Sequence, residues 1–427
     1  ILNSFLSKNT ATPTSVFEGT LALPSEEQGN ENIATSTTQL ADGGTEQFVL
    51  EKNKLVVWLP EEFSVTNASK AADIFKQHVK DFERQYPGTE VVLRVKAATG
   101  EGNILDSLYY TKIAASQALP QLALLSQVDM ENAAEQALLL PVEDFISENE
   151  PLTYFPYAQE ISRWKGVRYG FPFVGDALVG LADGSFSDLE FTTWEEVQAK
   201  HTPLYFAANS PQAMLTLSQY LSTGASLVDE QGNVSIDYDQ LRNVFIIFTQ
   251  NGNQRIFQKN FSSFSSEEEI WPLLQNGDIH WEINWYSKIG QSGGMDLRAF
   301  PIPSLGADAY VSAKGWLWTI VNRDGEVAEI VPAFIAFFNN PQFLAEFSQA
   351  SGYLPVSPES LALYESSANY GQLSRILNAA HRLPANDLVA QVGPILRDAT
   401  VMVLSQNFSI EEIIEKTRSQ VEALQEE

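Results

Sequence analysis

The chain of 427 residues contains no cysteine. That excludes structural disulfides, thiolate nucleophiles and cysteine-ligated zinc or iron–sulfur centres. Histidine is nearly as scarce: His78, His201, His280 and His381 are the full complement. None stands three or four residues from another, so no pair shares a helix face on which a metal is chelated. No metal and no cofactor is expected. Basic residues are in short supply as well, 26 Lys and Arg against 54 Asp and Glu, for a formal charge of −28. A balance of that sign repels phosphate backbones and anionic headgroups, which argues against nucleic acid as a partner. No stretch approaches the ~20 apolar residues that span a bilayer, and no cleavable signal opens the chain. The first residue is Ile rather than Met, which reads as a processed or truncated form. No GxxxxGK[ST] loop, GxGxxG fingerprint or HExxH helix is present. The segment 291–296, QSGGMD, lacks the strand–helix context of a phosphate cradle and reads as a turn.

What is present centres on residues 276–322, which hold four of the eight tryptophans. Three short apolar strands are expected there, over 279–285, 297–302 and 311–321. Upstream, residues 1–51 are rich in Ser, Thr, Glu, Gly and Asn and read as a flexible tether, because they bury too little apolar surface to offset their ordering entropy. A strand over 54–59, a helix over 70–86 with one apolar face, and a strand over 89–96 form a β-α-β unit of the length a parallel sheet requires. A helix over 105–118, a strand over 120–125 and a helix over 130–138 continue the alternation, which argues for an open α/β domain with its ligand site beyond the carboxyl ends of the strands. A hairpin is expected around Lys165 and Gly166, followed by a strand running to Leu181. Thr193 with Glu196 has capping-box spacing. Further expectations are a strand over 203–207, a hairpin over 228–236, and helices over 238–250, 267–275, 341–350, 370–378, 387–406 and 410–425.

The order KLVVWLP, QYPG, TEVVLRV, ALPQLALLS, RWKGVRYGFPF, TTWEEV, NGDIHWEINW, LRAFPIP, KGWLWTIV and GYLPVSP resembles the extracellular solute-binding proteins of ABC importers. It is similar in particular to their maltodextrin-binding-like, sugar-binding family, over residues 52–425. The resemblance implies an α/β, periplasmic-binding-protein-like fold: two α/β lobes joined by three hinge crossings, with a ligand cleft between them. The expected division is 52–173 with 308–352 in lobe 1 and 174–307 with 353–427 in lobe 2. The crossings fall near 171–175, 303–311 and 352–357. The implied function is capture of a small solute, a carbohydrate, by a monomer that delivers it to a membrane permease. The implied location is extracellular or periplasmic, with the tether fitting a lipid anchor at the cell surface.

Carried over residue by residue, the resemblance points to Gln127 and Asp129 after the strand PQLALLS, Asp176 past GFPF, Trp285 in INW, and Gly315 with Trp316 in KGWLW. At the loop after the third strand the maltodextrin pattern is not matched, since Leu125, Val128 and Asp129 replace an aromatic and an Asp-Arg pair. Chemically, a sugar offers apolar C–H faces that flat rings cover and an equator of hydroxyls that carboxylates and amides bond. Trp58, Trp285, Trp316 and Tyr353 are candidates for the first role. Glu61, Asp129, Asp176 and Asn209 are candidates for the second. Trp281 and Trp318 are expected in the core instead. Two rival readings are a glycoside hydrolase that uses a carboxylate pair drawn from Glu61, Asp129, Asp176 and Glu282, and a surface adhesion or scaffold protein.

Overall fold

The computed structural model describes residues 53–145, 153–186, 191–322, 330–367 and 369–426. The expected tether lies outside them. Strand β1, Asn53–Pro60, pairs in parallel with β2, Thr89–Lys96, and with β3, Leu122–Ser126. Helix Lys70–Gln85 makes the first crossover; Ser69 caps it by accepting the Ala72 N–H, and Ala72, Phe75, Val79 and Phe82 turn inward. This is the parallel α/β start that its apolar spacing predicts.

The rest of the sheet is mixed. Strands β4, Arg163–Trp164, and β5, Val167–Arg168, form a separate small hairpin, with Lys165 and Gly166 at positive φ in its turn. Strand β6, Gly170–Asp183, is the long one. Strands β7, Trp281–Trp285, β8, Leu297–Phe300, β9, Val311–Ile320, and β10, Ala380–Arg382, complete the set. The main order is β2-β1-β3-β9-β6-β7, with β8 on β6 and β10 on β9. Strand β6 changes partners along its length: Gly170–Ala177 pairs with β9, and Leu178–Asp183 with β7 and β8. One strand thus belongs to two packed regions. Phe75, Phe173, Trp318 and Phe338 lie in the core of the first, backed on the other face of the sheet by Trp58, Leu125 and Leu317. Trp194, Phe248, Trp281 and Phe300 lie in the core of the second.

Several expectations need correction. Residues 203–207 form no strand but a single bridge, Tyr205 to Glu282, and 228–236 reduces to one bridge between Val228 and Val234. There Asp229 Oδ1 accepts the N–H groups of Gln231 and Asn233 at 2.9 Å, so a side chain replaces a ladder. The stretch 267–275 starts as a 3₁₀ turn, Glu267–Glu269, before helix Trp271–Gln275, whose first turn contains proline. Among the described residues one helix, Asn386–Ser405, is long and apolar enough to cross a membrane by length and composition. Its Val389, Val392, Leu396 and Val403 are buried in the second core, which accounts for its apolar character.

Candidate functional site

Where β6 changes partners, three segments of chain come together. Gly175 exchanges both backbone hydrogen bonds with Leu354, at 2.8 and 2.7 Å, and lies opposite Gly315 of β9. A Cβ on Gly175 would sit 2.1 Å from Tyr157 Oη, so only glycine admits this approach. One residue further on, Asp176 lies opposite Lys314. Two residues beyond that, Leu178 lies opposite Trp285. Asp176 and Leu178 share a face of β6 by the period of two, which brings Lys314 and Trp285 to the same side from opposite neighbours.

A cavity of about 540 Å³ opens on that side. Ser126 and Gln127 enter it from the end of β3 and the start of helix Gln127–Glu135, Asp176 from β6, Trp285 from β7, and Lys314, Gly315 and Trp316 from β9. Tyr353 follows the helix Pro341–Ser351, while Leu383, Pro384 and Asn386 close the far wall. A smaller hollow of about 190 Å³ shares Glu62, Ser287, Gln291 and Tyr353 with it and is floored by Phe63, Phe75 and Phe347. A third hollow, about 640 Å³, lies among residues 228–234, 385–391 and 424–425. Its wall has neither an aromatic ring nor a cation, so it offers little beyond shape, and the aromatic cavity is the better candidate.

The polar groups of the cavity are held in place. Asp176, 3 % exposed, accepts from Ser287 N and Ala177 N at 3.0 Å and from Ser287 Oγ at 2.8 Å. Burial raises its pKa, against the lowering effect of Lys314 and these donors. Burial likewise lowers the pKa of Lys314, opposed by Asp176, Glu267 and Glu268. The Lys314 ammonium lies 3.4 Å from the centroid of the Trp285 ring. Lys288 Nζ donates to both oxygens of Glu268, at 2.5 and 2.6 Å. Glu62 and Glu267 both have raised pKa values, burial being the largest cause in each.

Gln127 is oriented by its surroundings. Its Nε2 donates to Glu131 Oε1 at 2.9 Å and to Leu383 O at 3.4 Å, both acceptors. Glu131 also receives Arg382 Nη2 at 3.0 Å and Asn386 N at 2.9 Å. The amide is therefore set with Oε1 on the other side, buried and without a hydrogen-bond partner. A buried acceptor left unpaired costs on the order of 1–3 kcal/mol.

Gln127, Asp176, Trp285, Gly315, Trp316 and Tyr353 come together in this cavity. Trp58, Glu61, Asp129 and Asn209 do not line it. Trp58 is 2 % exposed and packs with Ile104, Leu125 and Met130 under Lys96, whose Nζ is 4.2 Å from its ring. Glu61 is exposed on the 3₁₀ turn Glu61–Phe63, and its neighbour Glu62 lines the cavity in its place. Asp129 sits in the first turn of helix Gln127–Glu135, where Ser126 Oγ donates to it at 2.7 Å and its own N–H bonds back to Ser126. Asn209 is half-buried, its N–H on Phe264 O at 2.9 Å. Trp281 and Trp318 are fully buried. Sequence reasoning missed Lys314, Ser287 and Lys288. Lys314 was within reach, since it precedes Trp316 by two and so shares its strand face.

Of the carboxylates offered for hydrolysis, Asp176 has its oxygens occupied by Ser287 and Ala177, and Glu282 is fully buried in β7. Residues 290–294 spell Gly-Gln-Ser-Gly-Gly, the letters of a serine-hydrolase elbow. They occupy the end of the 3₁₀ turn Tyr286–Gln291 and a turn with Gly293 and Gly294 at positive φ, not a strand–turn–helix corner.

Residues 77–373 match the family model of the bacterial extracellular solute-binding proteins. No curated protein matches the chain. Among solved structures, the chain is similar to the sugar-binding protein MalE from the phytopathogen Xanthomonas citri, at 18 % identity and a TM-score of 0.68, covering 88 % of this chain and 98 % of that one. Maltose-bound MalE3 of T. maritima is similar at 17 % identity and a TM-score of 0.64, covering 87 % and 99 %. The cyclic alpha-maltosyl-1,6-maltose binding protein from Arthrobacter globiformis is similar at 14 % identity and a TM-score of 0.69, covering 87 % and 98 %. These likenesses establish a common α/β fold with the maltose-binding proteins.

Proposed function

The chain belongs to the bacterial extracellular solute-binding protein family, and from that premise we propose that it captures a carbohydrate in the cavity between β6, β7 and β9. The family is one of binding proteins rather than enzymes. The observation that carries the carbohydrate reading is the composition of the wall: the rings of Trp285, Trp316 and Tyr353 line one cavity with the polar side chains of Gln127, Asp176 and Lys314. Rings cover the apolar faces of a sugar, and polar side chains between them match a hydroxyl equator. The maltose and cyclic maltosyl-maltose named for the similar structures are in keeping with this class.

On this reading, residues 52–173 with 308–352 act as one lobe and 174–307 with 353–427 as the other. They close about the strand β6, the link from β8 to β9, and the segment around Leu354. A ligand touching both sides favours the closed arrangement by its differential contacts. The protein then works as a monomer outside the cell, tethered through its N-terminal segment to a membrane anchor, and hands its cargo to the permease of an ABC importer. A thermal-shift panel of maltose, maltotetraose, mannotriose, glucose, short peptides and polyols tests the ligand class. A sugar at 100 times its Kd is expected to add about 2.7 kcal/mol and raise the melting temperature. Stabilisation by peptides alone would overturn the carbohydrate reading.

A further inference from the structure

Lys314 is placed unlike an ordinary surface lysine. It stands on β9 directly opposite Asp176, yet the Asp176 oxygens are taken up by the N–H groups of Ala177 and Ser287 and by the Ser287 hydroxyl. Lys288, the other cation of the wall, is bonded to Glu268. Among the described residues Lys314 makes no hydrogen bond and no ion pair; its ammonium rests instead over the Trp285 ring at 3.4 Å. Burial disfavours its charged form, and Asp176, Glu267 and Glu268 oppose that from a distance. An ammonium carries three N–H donors, so the cavity holds a charged donor group that the protein itself does not use.

The ring beneath it matters as much. Trp285 ends β7 and Lys314 lies on β9, so their contact crosses β6 and joins the two packed regions at the strand they share. The Lys314 ammonium covers the face of Trp285 on which a sugar ring would otherwise stack. A sugar on that face must therefore move the ammonium, and the nearest gain for it is a hydroxyl oxygen of the same ligand.

We propose that Lys314 is a specificity-determining residue of this site, whose ammonium leaves the Trp285 ring to donate to hydroxyl oxygens of the bound carbohydrate while that ring face receives the sugar. The assignment rests on the carbohydrate reading above and adds to it the residue that exchanges one partner for the other. A hydrogen bond from a charged group is worth roughly 10- to 100-fold in affinity.

The test is calorimetric titration of the wild type, Lys314→Met and Lys314→Arg with the sugar of the panel above that binds the wild type most tightly, with melting temperatures measured alongside. Methionine keeps the length and apolar cover over Trp285 without the donors; arginine keeps both charge and donors. The expected result is a Kd raised roughly 10- to 100-fold in Lys314→Met, less than 10-fold in Lys314→Arg, and folded variants throughout. Unchanged or tighter binding by Lys314→Met would mean that the lysine only shields the ring, and would overturn this assignment alone. Equal losses in both variants, with melting temperatures also lowered, would make Lys314 a packing residue and overturn it too. A wild type that binds no sugar of the panel overturns the carbohydrate reading and this assignment with it.

Discussion

Glu282 shows how a single buried group shapes the response to pH. It is fully buried in β7, with Oε1 accepting Asn284 Nδ2 at 2.9 Å and Oε2 without a hydrogen-bond partner. Burial pushes its pKa up to about 8 from an ordinary value of 4.5. Between those two values the folded state holds a proton that the unfolded chain has lost, so the residue's contribution is complete in acid and falls as pH rises through that window. From pH 5 to pH 8 this loss is on the order of 3 kcal/mol. Urea unfolding of Glu282→Gln should show a correspondingly smaller loss across the same range; an unchanged slope would place the carboxylate in a wetter setting. The side chain does more than stay neutral, because Asn284 also accepts the Trp285 N–H at 2.8 Å and donates to Glu267 O at 3.1 Å. None of this was readable beforehand. In a chain with 54 acidic residues, Glu282 looks like any other until its strand is seen to be covered on both faces. Trp285 and Trp316 were legible because a large ring at a strand position has few roles. Glu61 and Glu62 differed only by the direction of a 3₁₀ turn, which no spacing rule resolves.

At the scale of elements, the β-α-β start and the long amphipathic helices were legible because a repeat of 2 or 3.6 residues extends over many positions. Short elements gave no such signal: β10 has three residues, paired to β9 only through tertiary contact. The same holds at the join after helix Pro341–Ser351, where Gly352 ends the helix at φ 80°. A Cβ there would lie 2.2 Å from Gly290 N, so both conformation and space require glycine. Gly352→Ala is expected to cost about 2–3 kcal/mol in chemical unfolding. A loss below about 0.5 kcal/mol would mean that the 290 and 352 turns separate easily. The glycine in GYLPVSP was visible in the sequence, but its neighbour across the fold was not, since the two are brought together only by the packing of the 3₁₀ turn Tyr286–Gln291 on this helix.

At the scale of the whole molecule, the candidate site forms where β6 changes partners from β9 to β7 and β8. The net charge is −28, yet here Glu62, Asp176 and Glu267 all have pKa values raised by burial, beside two lysines. A chain built this way keeps its repulsion outside and a mixed, partly dry pocket inside, which suits a neutral ligand rich in hydroxyl groups better than a nucleic acid or a membrane surface. The order of short motifs carried the fold; the cavity itself needed the register of β6 against β7 and β9. The central claim is that a sugar is bound between Trp285 and Trp316 in that cavity. Calorimetric titration of the wild type, Trp285→Ala and Trp316→Ala with the best sugar of the thermal-shift panel tests it most directly. The account predicts a Kd raised at least 10-fold in each variant with the fold retained, and wild-type affinity in both variants would contradict it.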